Sequence, residues 1–569
     1  MRGPGLNTKG VFPLAEGTYR RAPAPAGALR LDANEGPASG RTWTWPDAEA
    51  LRRYPDASSL EREIAGRFGL DQARVLVTAG ADDAIDRLCR RFLGPGRDLV
   101  LSKPTFEMFL RYAALAGAEA RSVPWWDGPY PVEGIAALCG PRTGMLAVVS
   151  PNNPTGGTVT RTELVELRRR CPGIPLVLDA AYAEYATEDL TAKALDLEDT
   201  VVLRTFSKAW GLAALRVGYA LGPADLIAEL RACGPPYAVS GPSLALAGQA
   251  LAADGPGMKA GVERTRAYRA SIAGLMGELG LEVLPSQANF ILARDPRAGW
   301  ITAALSALGF VVRGWPGHPL LGDCLRVTCP TTPADQGRFA QALQTVLAPE
   351  ALLLDLDGVI ADEGGSYREA ILAVLESFGV RASRQDVAAA KAAGSAANDW
   401  EVTCTLLRQA GLAPDRDEVV DRFQRAYLGG DGTPGLCERE TLIPPRWVIE
   451  DLARRLPLGI VTGRPRAEAL AFLDRFDLSC LFGVVVGMED APAKPDPAPV
   501  RLALRRLGAQ RAWMVGDTPD DVRAARAAGV LPLAVRPPDP RDAPGEDALV
   551  EAGAACILSN LTGLRELLK

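Results

Sequence analysis

Histidine is almost missing from this chain of 569 residues, which has one, and its ten cysteines stand singly with no Cys-x-x-Cys spacing. A chain this long needs no disulfide staples to hold a core, so scattered cysteines read as free thiols. No apolar run is long enough to span a membrane, and the opening stretch MRGPGLNTKGVFPLAEGTYRR has no apolar segment of the kind that directs secretion. These absences predict a cytoplasmic protein without a membrane partner. A net charge of -6 gives no general attraction to nucleic acid, so a small anionic ligand would need its own local basic residues. Low complexity is confined to RAPAPAG near the start, and no internal repeat is visible. What is present, 47% hydrophobic and 23% charged residues, is the composition of a globular protein. The length fits roughly two to four domains.

Apolar runs that read as strands alternate with helix-like stretches rich in Ala, Leu and Arg, as in ARVLVTAG, MLAVVSPNNPTG, IPLVLDAAY and VVLRTFSK. That alternation predicts α/β units around a mostly parallel sheet. It resumes after residue 350 in ALLLDLDG, LGIVTGRP, FGVVVGMED, AWMVGDTPDD and LPLAVRPP, which predicts a second α/β unit. The junction QTVLAPEALLLDLDG leaves almost no linker.

Lys208 follows an apolar run in LRTFSKAWGLAALRVGY, at a strand-to-helix corner. A lysine there can form a Schiff base with an aldehyde, and pyridoxal phosphate is the aldehyde that enzymes use as an electron sink. Alone, Lys208 would be a solvated surface residue; its company decides. The cofactor calls for a carboxylate on its ring nitrogen, hydroxyl or amide donors on its phenolate oxygen, and a cation with hydroxyls on its phosphate. Candidates are Asp179 and Tyr182 in LVLDAAY, Asn153 in the turn SPNNPTG, and Ser207 and Arg216 around the lysine. In TAGADDAI, at 78–85, a strand feeds a helix whose N-terminus can take a phosphate. Each fragment also has a plain reading, Asn-Pro-Thr-Gly as a turn and an Asp after a strand as a helix cap.

In this order, LDANEGP, RRYPDA, TAGADDAID, KPTFEMF, PNNPTG, LDAAYAEY, RTFSKAWGLAALRVGY, PSQANF and LRVT make residues 28–348 resemble a fold-type I pyridoxal phosphate aminotransferase, most of all the histidinol-phosphate aminotransferase group. The resemblance implies a domain over 1–348, with a large parallel-rich cofactor domain at about 50–240 and a small domain from 1–50 and 240–348. Lys208 would be the Schiff-base lysine and proton carrier, Asp179 the partner of the ring nitrogen, and Asn153 and Tyr182 the partners of the phenolate oxygen. Phe106 would stack on the ring, and Ala81, Asp82, Thr205, Ser207 and Arg216 would surround the phosphate. Tyr54 would reach the cofactor phosphate of a neighbouring subunit, which implies a homodimer. Arg326 would clamp an acid group of the substrate, with Asn34, Arg313 and Asn289 beside it; for Arg313 an ordinary surface arginine is the rival reading. The chain departs from the family at NEGP, where Asn-Glu-Asn-Pro is usual, at Phe106, where Tyr is, and at Asp82-Asp83, where Asp-Glu is. The first departure bears on the substrate pocket.

LLLDLDGV at 352–359 asks for different chemistry. Asp355 and Asp357, two apart where an apolar strand runs out, lie on one side of the backbone at the carboxyl edge of a sheet. Such a pair can hold magnesium and divide the labour, one carboxylate attacking phosphorus and the other handling the proton. Alone, Asp-x-Asp is an acidic turn. Here Thr462 ends GIVTG, Lys494 stands in AKPDP, and Asp517 and Asp521 follow in VGDTPDD. That set resembles the haloacid dehalogenase superfamily of phosphatases over 349–569. It implies Asp355 as a nucleophile forming an aspartyl-phosphate and Asp357 as general acid and base. Thr462 and Lys494 would hold the transferring phosphoryl group, and Asp355, Asp357 and Asp517 would hold Mg2+, with Asp521 orienting the metal site or anchoring Lys494. An aspartate as the second acid favours a phosphatase over a dehalogenase, which has no alkoxide to protonate. A Rossmann-like core at 349–365 and 445–569 would carry a helical cap at about 366–444, where SYREAILAVLESFG and DEVVDRFQRAYLG have helical periodicity. GSAANDW at 394–400 is either a substrate-facing segment or a plain interhelical turn.

Neither chemistry asks for a histidine, so His318 in GWPGHP reads as structural or surface-placed. The resemblances together imply two successive steps of histidine biosynthesis. Imidazole-acetol phosphate would be transaminated with glutamate, releasing 2-oxoglutarate, and the histidinol phosphate formed would lose its phosphate. Histidinol phosphate has no α-carboxylate, so Arg326 would bind its phosphate instead. Three alternatives stay open: a threonine-phosphate decarboxylase in the first unit, an unrelated phosphate ester for the second, and one silent regulatory half. Against the last, both sets of catalytic residues are intact in type.

Overall fold

The computed structural model describes residues 23–38, 42–253, 255–390, 399–430, 432–536 and 545–568. The chain divides into two compact units: Leu29–Gly299 with Val311–Arg338, and Trp300–Phe310 with Ala24–Ala28 and the chain from Phe339 onward.

In the first unit, Thr143–Val149 and Leu176–Asp179 are buried along their whole length, as strands of a sheet covered on both faces are. They lie within a seven-stranded sheet ordered Val75–Thr78, Gly218–Leu221, Thr200–Thr205, Leu176–Asp179, Thr143–Val149, Asp98–Lys103, Glu119–Pro124. All neighbours are parallel except Gly218–Leu221, which runs antiparallel to both of its partners. Parallel register brings Asp179 level with Leu203, so the acid and the segment leading to Lys208 leave the sheet at the same edge. A five-stranded sheet follows the order Leu29–Leu31, Phe310–Gly314, Cys324–Thr328, Phe290–Arg294, Glu282–Val283. Within it the antiparallel register sets Arg313 directly opposite Arg326.

The second unit has six parallel strands, ordered Phe482–Val486, Leu458–Val461, Ala351–Leu354, Ala512–Gly516, Leu531–Val535, Ile557–Leu558. In chain order that is third, second, first, fourth, fifth, sixth, a doubly wound sheet whose direction reverses beside its first strand. Ligands bind at the carboxyl ends flanking such a reversal, here those of Ala351–Leu354 and Ala512–Gly516. The strand before Asp355 is held there by Leu352, Leu353 and Leu354, all fully buried.

An insertion leaves and re-enters this core through the antiparallel ladder of Ala361–Asp362 with Thr441–Leu442. Between them lie helices Tyr367–Ser377, Arg384–Ala390, Asp399–Gln409 and Arg416–Leu428, packed on a core that includes Ile371, Leu407 and Phe423. In the first of these helices Tyr367, Ala370, Ile371, Val374 and Leu375 form the buried stripe that its sequence spacing predicts. Of GSAANDW, residues 394–398 lie outside the described residues, and Asp399 and Trp400 open a helix. The ten cysteines are free thiols. His318 holds a turn, its Nδ1 accepting the N–H groups of Leu320 and Leu321, each at 3.1 Å. Among the described residues no helix is long and apolar enough to cross a membrane.

Candidate active sites

In the first unit an anion cradle forms where strand Val75–Thr78 gives way to helix Gly80–Phe92. Gly80 has φ +81°, and a Cβ there would lie 2.8 Å from Arg216 Nη2, so glycine is what admits the guanidinium. Ala81 and Asp82 follow in the first helical turn. Arg216 donates to Asp82 Oδ2 at 3.0 Å and to Ser207 Oγ at 3.4 Å, and Ser207 Oγ also accepts from Thr205 Oγ1 at 3.0 Å. The structure thus gathers Ala81, Asp82, Thr205, Ser207 and Arg216. A helix N-terminus, two hydroxyls and a guanidinium together are suited to a phosphate.

Beside the cradle, Lys208 Nζ donates to Ala33 O at 3.2 Å and lies 5.5 Å from the centre of the Tyr182 ring. Tyr182 Oη accepts from Asn34 Nδ2 at 3.0 Å. Asp179 is buried at the end of its strand and accepts the Ala181 N–H at 3.0 Å. Burial pushes its carboxyl up to about 7; the charge of Asp82 adds to this and that of Lys208 opposes it. A protonated ring nitrogen in contact would return such a carboxyl to its charged form. These residues therefore fit a phosphorylated pyridine aldehyde. Phe106, at the N-cap of helix Glu107–Leu115, packs against the cluster that includes Phe109 and Ala113. Tyr54 is 81% exposed and stacks on Tyr237, ring centres 4.6 Å apart.

Arg326 donates through Nη1 to Asn153 Oδ1 and through Nη2 to Asp32 O at 2.8 Å, so the expected substrate clamp and an expected cofactor ligand touch. Its guanidinium lies 5.7 Å from the Trp315 ring, and that of Arg313 lies 5.6 Å from the same ring. Sequence reading passed over Trp315, whose only signal was its place two residues after Arg313. Asn34 has φ +56° and is fixed through its backbone N–H to Thr328 Oγ1 at 3.0 Å and through its carbonyl, which accepts from Asn289 Nδ2 at 3.2 Å.

In the second unit Gly358 has φ +69°, and a Cβ there would fall 2.1 Å from Asp517 Oδ2, which is why the turn after the acidic pair is glycine. Oxygens of Asp355, Asp517 and Asp521 lie within 4.8 Å of one another. Lys494 Nζ contacts Asp355 Oδ1 at 3.0 Å, pairs with Asp521 Oδ1, and donates to Val461 O at 3.1 Å. Asp521 Oδ2 accepts the Thr518 N–H at 3.1 Å and its Oγ1–H at 2.6 Å, closing a capping box on helix Pro519–Ala527. Asp521 therefore anchors Lys494. Burial works against the Lys494 ammonium, but Asp355 and Asp521 hold its pKa above the ordinary lysine range.

Burial, with Asp521 and Asp357 adding and Lys494 opposing, pushes Asp355 up to about 8. Burial and the charges of Asp521 and Asp355 raise Asp517 well above the carboxylate range. Carboxylates crowded in this way fit a divalent cation, which relieves both burdens. Asp355 and Asp517 would hold it, Asp355 beside its contact with Lys494, while Asp521 is engaged with both Lys494 and Thr518. The side chain of Asp357, expected as a third ligand, lies outside this triad and is held by Arg464 Nε at 2.8 Å. Thr462 is buried, and its Oγ1 accepts the Arg464 N–H at 3.1 Å. Arg464 also escaped sequence reading; its signal was the arginine two residues after Thr462.

Residues 10–343 match the family described as aminotransferase class I and II. The chain belongs to the class I and II aminotransferases. In this aminotransferase residues 349–529 also match the family described as haloacid dehalogenase-like hydrolase. Histidinol-phosphate aminotransferase of Paramagnetospirillum magneticum is 37% identical over 328 residues, 54% of this chain and 89% of that one. A crystal structure of histidinol-phosphate aminotransferase from Sinorhizobium meliloti, in complex with pyridoxal-5'-phosphate, aligns with a TM-score of 0.50 at 27% identity, over 56% of this chain and 89% of that one. An imidazoleglycerol-phosphate dehydratase of Phytophthora nicotianae is 44% identical over 197 residues, 33% of this chain; the match spans 44% of that protein's length.

Proposed function

We propose that this aminotransferase and hydrolase catalyse two successive steps of histidine biosynthesis in the cytoplasm, as a homodimer with the domain junction at 348/349. The first is transamination between glutamate and imidazole-acetol phosphate, giving histidinol phosphate; the second is hydrolysis of that ester to histidinol. The observation that carries the reading is the pairing of a built phosphate-ester site with an aminotransferase 37% identical to a histidinol-phosphate aminotransferase. Tyr54, 81% exposed although it stacks on Tyr237, supports the dimer, since a residue working in a neighbour's site would present its side chain at the surface of its own chain.

Pyridoxal phosphate, in the cradle of Arg216, Ser207 and Thr205 with Asp179 on its ring nitrogen, would supply an electron sink for the substrate carbon. Lys208 would move the proton between the substrate carbon that bears the nitrogen and the cofactor's aldehyde carbon. Asn153 and Tyr182 would hold the phenolate oxygen, and Arg326, with Arg313, would bind the substrate phosphate. In the second unit Mg2+, held by Asp355 and Asp517, would offset the charge on the phosphoryl oxygens. Asp355 attacks phosphorus, Thr462 and Lys494 hold the phosphoryl group, and Asp357 gives a proton to the leaving oxygen and then takes one from the attacking water.

The test is inorganic phosphate release from histidinol phosphate with magnesium, beside a panel of other phosphorylated metabolites, in the wild type and Asp355→Asn. Preferential release that the substitution abolishes supports the reading. Neglect of histidinol phosphate in favour of another ester sinks it.

A further inference from the structure

Arg464 is 2% exposed, between strand Leu458–Val461 and helix Arg466–Arg475. Its Nε donates to Asp357 Oδ1 at 2.8 Å and its Nη2 bonds the same oxygen, which leaves Asp357 Oδ2 outside the pair. Its Nη1 turns the other way, to Tyr427 Oη at 3.0 Å and Glu440 Oε2 at 3.1 Å. Tyr427 belongs to helix Arg416–Leu428 of the inserted segment, and Glu440 stands just before the strand by which that segment returns. Glu440 is itself held by Ser366 Oγ at 2.7 Å and Tyr427 Oη at 3.1 Å, and the Tyr367 ring covers the guanidinium at 4.6 Å. A buried guanidinium between two carboxylates carries a desolvation cost that an exposed pair avoids, so its geometry is the informative part. One arm reaches the proton-handling residue and the other reaches the inserted helices.

We propose that Arg464 is a positioning residue of the phosphatase. By tying Asp357 to Tyr427 and Glu440, it aims the free Asp357 oxygen at the leaving-group oxygen while the inserted segment is seated. This rests on the reading of the second unit as a phosphatase with Asp357 as proton donor. A general acid acts only within hydrogen-bond reach of the atom it protonates, and a displacement of about 1 Å can cost on the order of 100-fold. The step at stake is donation of a proton to an alkoxide. A nitrophenolate leaves without one, so the first step on an aryl ester, release of the leaving group, is indifferent to where Asp357 points, whereas the later attack of water is common to both ester classes.

Leaving-group release in the first turnover, with the full chain and Mg2+ in excess over ester, is measured on histidinol phosphate and β-glycerol phosphate as alkyl esters and on p-nitrophenyl phosphate as aryl ester. Arg464→Lys keeps the charge but loses the fork, and Tyr427→Phe breaks only the arm toward the inserted helix. We expect Arg464→Lys to lower that first-turnover rate on the alkyl esters by on the order of 100-fold, with less than about threefold loss on the aryl ester. Tyr427→Phe moves the same ratio in the same direction by a smaller factor. Adding Arg464→Lys to Asp357→Asn costs little more than Asp357→Asn alone, because both remove one function. Equal losses on both ester classes in Arg464→Lys, or none, overturn the proposal. A wild type that cleaves no alkyl ester, or an Asp355→Asn variant that still releases phosphate, overturns the phosphatase reading beneath it as well.

Discussion

Arg313 and Arg326 face each other across antiparallel strands, and the Trp315 ring lies 5.6 Å from the first guanidinium and 5.7 Å from the second. Like charges directly opposite on a sheet repel, unless an anion lies between them. This argues against Arg313 as an ordinary surface arginine. Arg313→Met and Arg326→Met should each raise KM for the phosphorylated substrate by roughly 10- to 150-fold, the worth of about 1.5–3 kcal/mol for a charge-assisted bond. The double variant should fall short of the product of the two. KM measured in the three variants decides it; an unchanged KM in Arg313→Met would return that residue to the surface.

The two chemistries use separate residues, so each should survive loss of the other. Lys208→Ala should lose transamination by at least about 100-fold, the worth of a positioned proton carrier, and keep its magnesium-dependent phosphate release. Asp355→Asn should do the reverse. Paired assays on the two variants check this, and a variant that loses both activities refutes it.

Gly358→Ala places a methyl group where Asp517 Oδ2 now lies, at a positive φ that alanine adopts poorly. Backbone strain of this kind costs of order 1–3 kcal/mol. We expect a higher magnesium requirement for phosphate release with transamination unchanged. A magnesium titration at fixed ester concentration reads it.

Asp179 gives a pH dependence of known sign. Its folded pKa, about 7, stands above the ordinary value of 3.8, so between those values the folded state holds more protons than the unfolded one. Stability of the cofactor-free protein from this group is therefore present at low pH and lost as pH rises from about 4 through about 7. Asp179→Asn removes that loss. The thermal midpoint of the cofactor-free variant should gain on the wild type between pH 5 and pH 8, where no relative gain would disprove the account.

The candidate site residues were legible one by one because each stands at a strand end next to a turn signal. Lys208, Asp179, Asp355 and Asp517 all leave buried strands at the edge where α/β sites form. Arg464 and Trp315 were not, since an arginine after Thr-Gly and a tryptophan before Pro-Gly look like any turn residues until the chain folds around them. Asp357 shows the same limit: two residues from Asp355, it read as a metal ligand by spacing, and its side chain is turned to a partner 107 positions away.

Alone, the sequence determined that this is a chain of two α/β units, with a lysine and carboxylates at strand ends in the order of two known families. Hydrophobic period, turn residues and motif order are local and survive without a fold. Only the tertiary structure decided which side chains share an oxygen, which carboxylates crowd together, and which arginines oppose each other. Those relations depend on strand register and on burial, and both are set by segments far apart in the chain.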